Sequence, residues 1–120
     1  MGRKNVVKSF DMIDSADMSG NITSSTTDVI NLDKASIYIS WSGTSPVGTI
    51  VVEATNSDPV DSQSVWREVN MGATISVSGN SGSHDLIFTE LPFRAIRLVY
   101  TATSGSGDLD ATISAKTTGA

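Results

Sequence analysis

Hydrophobic residues recur at every second position in several short stretches of this chain. In Ala35–Ser42, Ile37, Ile39 and Trp41 share one face, and Ser36, Tyr38, Ser40 and Ser42 share the other. In Thr49–Asn56, Ile50, Val52 and Ala54 oppose Val51, Glu53 and Thr55. Arg94–Thr103 sets Ile96, Leu98, Tyr100 and Ala102 against Arg97, Val99 and Thr101, and Asp108–Lys116 alternates through Leu109, Ala111, Ile113 and Ala115. A period of two places successive side chains on opposite faces of a strand, so each stretch reads as a half-buried β-strand. Shorter segments carry the same signal: Asn5–Phe10, the neighbourhood of Asn21–Ser24, Asp28–Leu32, Val65–Val69, Thr74–Ser78 and Asp85–Glu90. No stretch sustains a 3.6-residue period, which predicts little helix.

The punctuation between strands is rich in Gly, Ser, Asn and Asp. Gly43–Gly48, which contains Pro46, is too short for a parallel crossover and predicts an antiparallel hairpin between Ala35–Ser42 and Thr49–Asn56. Gly79-Asn80-Ser81-Gly82 and Ser104-Gly105-Ser106-Gly107 likewise read as hairpin turns. Asp11–Thr27 reads as a long connection that packs back on the body. Asp58-Pro59 marks a polar loop, and Leu91-Pro92-Phe93 a corner. Eight or nine strands at such intervals predict an all-β, single-domain antiparallel β-sandwich of jelly-roll type. Residues 1–34 form an amino-terminal strand and long connection, 35–116 the sandwich body, and 117–120 a small polar tail.

Length and composition fit that picture. A chain of 120 residues supports one core. The absence of cysteine excludes a disulfide framework and thiolate chemistry. A formal net charge of −5 repels nucleic-acid phosphates. Arg3, Lys4 and Lys8 form the one local basic cluster, read as a solvated edge or a contact with an acidic partner. No apolar run approaches the ~20 residues needed to cross a bilayer, and no signal peptide follows the basic start, so a soluble product is expected.

Catalytic patterns are absent. Ser83-His84-Asp85 has the letters of a hydrolase triad, but neighbours on a strand point to opposite faces and cannot converge; His84, the only histidine, reads as a loop residue. The glycine-rich stretches run into strands and not into a helix N-terminus, so they are not phosphate loops. Glu53, Glu68 and Glu90 are single carboxylates on polar strand faces, where solubilising groups are expected more often than a glycosidase pair. Asp11, Asp14 and Asp17 recur at a spacing of three, with further pairs at Asp58/Asp61 and Asp108/Asp110. They offer oxygen ligands of the kind calcium takes but match no EF-hand spacing, so solvated carboxylates are favoured over a structural calcium ion. No cofactor is expected. Tyr38, among serines on the solvent side, and Trp66, beside a polar loop, are the aromatic candidates for an interface or ligand platform.

Two stretches resemble a known group. One is Gly48 to Asp58 (GTIVVEATNSD), followed by Val65–Val69 (VWREV); the other is Leu91 to Gly107 (LPFRAIRLVYTATSGSG), leading into Leu109–Lys116. Over residues 35–116 they resemble small β-sandwich structural proteins of bacteriophage virions, of decoration, fibre or tail-associated type. The second stretch is also similar to discoidin and carbohydrate-binding sandwiches. The phage resemblance implies a non-enzymatic protein made in the host cytoplasm and localised to the virion. It implies assembly with itself and other virion proteins as a homo-oligomer, without nucleic acid or membrane. The alternative it leaves open is a carbohydrate-binding or host-attachment module using Trp66 or Tyr38 on a surface glycan. A calcium-stabilised adhesin domain is a third, weaker reading.

Overall fold

The computed structural model describes residues 7–29, 34–56, 66–68, 74–88 and 93–116. These form β1 (Val7–Asp17), β2 (Ile22–Thr23), β3 (Thr27–Asp28), β4 (Lys34–Thr55), β5 (Arg67–Glu68), β6 (Ile75–Val77), β7 (Ser81–Phe88) and β8 (Ala95–Lys116), with no helix among them. All described pairings are antiparallel.

The frame is a ribbon of two long strands. β4 and β8, each of 22 residues, pair from Lys34↔Lys116 to Thr55↔Ala95. The predicted hairpin between Ala35–Ser42 and Thr49–Asn56 is therefore not formed. Both segments belong to β4, and Gly43–Gly48 bends that strand without reversing it. Ser104–Gly107 similarly lies inside β8, and Gly79–Gly82 joins β6 to β7, which run in the same direction along β4. The long connection expected over Asp11–Thr27 is largely strand, because β1 continues to Asp17 and β2 and β3 follow it along β8.

The bend has a definite register. Opposite Gly105, β4 carries two residues, Ser45 and Pro46; between Val47 and Gly48, β8 carries the extra residue Thr103. Each strand thus gains one residue through a bulge, and the pairing register is the same on both sides. The insertion switches which alternate positions face inward. In β4 the buried set changes from Ile37, Ile39 and Trp41 to Ile50, Val52 and Ala54; in β8 it changes from Ile96, Leu98 and Tyr100 to Leu109, Ala111 and Ile113. The same odd–even change separates Val77 from Leu86 and Phe88 on the neighbouring segments.

Splitting the ribbon at this corner gives two four-stranded sheets. One runs β1, the carboxyl half of β8, the amino half of β4, then β7. The other runs β2 with β3, the amino half of β8, the carboxyl half of β4, then β6 with β5. This is jelly-roll connectivity, with strands passing between sheets through bulges. The inward faces of both sheets meet in one hydrophobic cluster.

Left-handed backbone concentrates at and near the corner: Ser15, Ser45, Gly79 and Gly105 have φ of 48°, 46°, 82° and 80°. The two serines are held from elsewhere in the chain, Ser15 by a β8 residue and Ser45 by a residue of the bend between β6 and β7. Asp110 Oδ1 accepts the Ser15 N–H at 2.8 Å, and Asn80 Oδ1 accepts the Ser45 N–H at 2.9 Å and its hydroxyl at 3.1 Å. Gly105 has no such tether, but only glycine fits there, because a Cβ would overlap the Ser45 carbonyl. Close by, the Tyr100 ring covers Gly48, where a Cβ would come within 2.6 Å of Tyr100 Cε1, and the phenol donates to the Val47 carbonyl at 3.2 Å.

Candidate interaction surfaces

A jelly roll turns one face of each sheet outward, and the described candidate residues divide between these two faces. Tyr38 lies on the outward face of the β7 sheet, paired with Asp85 on β7 and Thr112 on β8. It is 51% exposed, as its alternation with buried Ile37 and Ile39 requires. Ile87, paired with Ser36, is the diagonal neighbour of Tyr38 on the adjoining strand and is 73% exposed. The neighbouring outward positions Ser9, Ser40, Ser83, Asp85, Thr112 and Ser114 are polar, with the Ser9 and Ser114 hydroxyls bonded at 2.9 Å. Two large apolar side chains therefore stand side by side on a field of Ser, Thr and Asp. Within the predicted strand Asp85–Glu90, Ile87 alternates with Leu86 and Phe88, and that place on the outward side of an alternating strand is the signal by which the sequence offers it.

Trp66 belongs to the other face. It is half-buried, with the Arg97 guanidinium carbon 4.1 Å from its ring centroid. Glu53 fixes that guanidinium: Nε donates to Oε1 at 2.8 Å, and Nη2 lies 2.7 Å from the same oxygen. Glu53 and Arg97 are a directly opposed cross-strand pair of the β4–β8 ribbon, and β5 brings Trp66 alongside through Ala54↔Arg67 and Glu53↔Glu68. A cation held against an indole face by a carboxylate is a favourable cation–π arrangement. Tyr38 and Trp66 are thus on different sheets and do not form one platform. Arg3 and Lys4 lie outside the described residues.

The residues weighed for chemistry are dispersed. His84 is on β7, correcting its assignment to a loop. It pairs with Ile39 while Asp85 pairs with Tyr38, so the two side chains leave opposite faces. Among the described residues, no group of three or more His, Asp or Glu side chains is gathered so as to hold a metal ion. Asp11 lies opposite Thr112, and Asp17 instead accepts the Ser19 N–H at 2.9 Å, which holds its carboxyl below the ordinary carboxylate pKa. Burial of Tyr100 pushes its phenol pKa upward.

No protein-family model matches the sequence, and no curated protein matches it. Solved structures do share the fold. A protein derived from the SPBc2 prophage, YomS, superposes with a TM-score of 0.57 at 12% identity, covering 95% of this chain and 97% of that one. A chain in the structure of infectious bursal disease virus, Gx strain, gives a TM-score of 0.51 at 14% identity over 96% of this chain. The match spans 32% of that viral chain. At these identities the likeness establishes a common architecture.

Proposed function

We propose that this chain is a non-enzymatic structural component of a bacteriophage virion, assembling on a capsid or tail as a decoration, cement, fibre or tail-associated protein. The observation that carries the reading is the jelly roll it shares, over nearly the whole of both chains, with a prophage-derived protein. A second viral chain containing the same architecture supports it. The surface fits an assembly role. The Tyr38–Ile87 pair offers exposed apolar area on an otherwise polar sheet face, the kind of anchor around which a subunit contact is built. In a closed symmetric assembly one modest contact recurs at every subunit, so each need not be large. Copies of the chain and other virion proteins are its partners, and the contacts need no cofactor. Size-exclusion chromatography with light scattering tests the reading: a discrete oligomer supports it, and a monomer at every concentration counts against self-assembly.

A further inference from the structure

We propose that Trp66, Arg97 and Glu53 form a carbohydrate subsite on the outward face of the β6 sheet. The inference stands on a different surface from the Tyr38–Ile87 face and does not depend on oligomer formation. Sugar recognition needs an aromatic ring against which C–H groups can lie, together with fixed donors and acceptors for hydroxyls. Trp66 is partly exposed and supplies the ring. The Arg97 guanidinium carbon lies over the ring, 4.1 Å from its centroid.

The ion pair leaves hydrogen-bonding capacity unused. Both contacts from Arg97, through Nε and Nη2, go to one carboxylate oxygen, Glu53 Oε1. Glu53 Oε2 and Arg97 Nη1 have no partner among the described residues. An acceptor and a donor therefore stand beside an aromatic ring. Vicinal hydroxyls, each both donor and acceptor, suit this combination. The two charged side chains are only 26% and 24% exposed, so competing water is limited while access remains. Arg97 and Glu53 sit on the paired long strands and not on a loop, and sites on such elements are positioned more tightly.

The ligand class that fits is a neutral oligosaccharide. The carboxylate opposes an anionic sugar, and its pairing with the guanidinium leaves little net charge to attract one. Titration of the full chain with maltotriose, cellotriose and triacetylchitotriose, followed by tryptophan emission, tests the proposal. The expected result is a saturable change with at least one of the three. Isothermal titration calorimetry, which does not depend on the Trp66 fluorophore, should show binding abolished in Trp66→Ala and weakened about tenfold in Glu53→Gln while the melting transition stays intact. Arg97→Met reports on the guanidinium, and near-ultraviolet dichroism from buried Trp41 confirms that each variant is folded. A response that persists in folded Trp66→Ala, or no response to any of the three sugars, overturns the proposal.

Discussion

Replacing Gly105 with alanine tests the corner of the fold at its tightest point. Gly105 has φ of 80°, and a Cβ added there would overlap the Ser45 carbonyl and approach Pro46 Cα at 2.8 Å. Left-handed backbone costs a non-glycine residue about 1–2 kcal/mol. The overlap adds to that, because the obstructing atoms are backbone on the partner strand and no rotamer change relieves them. Forced shifts in well-packed structure cost about 1–3 kcal/mol. The sum, about 2–5 kcal/mol, is a large fraction of the roughly 5–15 kcal/mol stability of an ordinary domain. Equilibrium urea unfolding should show a lowered midpoint with an unchanged slope, while Ser104→Ala, at an exposed neighbour, should stay within about 0.5 kcal/mol. A flexible hairpin turn at Ser104–Gly107 would tolerate alanine readily. A loss below about 1 kcal/mol for Gly105→Ala would refute the two-bulge corner.

Other consequences are local and separable. Ile37→Ala should cost about 2–5 kcal/mol in urea unfolding, whereas Ile87→Ala should change stability by no more than about 0.5 kcal/mol, since the first side chain is fully buried and the second is 73% exposed. Asn80→Ala removes the oxygen that holds Ser45 in its left-handed conformation and should cost about 1 kcal/mol by the same assay. Tyr100 gives a pH dependence. Its folded pKa is raised above the ordinary value of about 10, so its contribution is complete below that pH and is lost as pH rises through the folded value. Melting temperatures measured from neutral to strongly alkaline pH should fall less steeply in Tyr100→Phe than in the parent, at the cost of the hydrogen bond to Val47.

Which residues are inside was legible from the sequence; which strands are neighbours was not. Alternation put Ile37, Ile39 and Trp41 on one strand face and Ile50, Val52 and Ala54 on another, and both sets are buried. Strand pairing went wrong because turns and bulges draw on the same residues. Gly43–Gly48 and Ser104–Gly107 have the composition of chain reversals, yet they lie opposite one another across the ribbon and bend it together. Only long-range register distinguishes those outcomes, and local composition does not carry it. A weaker clue was present in the change of parity of the inward set, odd to even across Gly43–Gly48 and even to odd across Ser104–Gly107, which a single inserted residue produces. At the candidate surfaces, Tyr38 was legible as a large side chain on a serine-rich face. The contact of Trp66 with Arg97, itself held by Glu53, was not, because it joins residues far apart in the chain through the pairing of β5 with β4.

On the proposed assembly role, copies of this jelly roll would meet through the face bearing Tyr38 and Ile87. The most direct test is native mass by light scattering after size exclusion, run on the parent chain and on Ile87→Glu at matched micromolar concentrations. A discrete oligomer is expected for the parent and a smaller species for the variant, with both melting at closely similar temperatures because Ile87, 73% exposed, contributes little to the core. A parent chain that remains monomeric throughout, or an oligomer whose mass Ile87→Glu leaves unchanged, would contradict it.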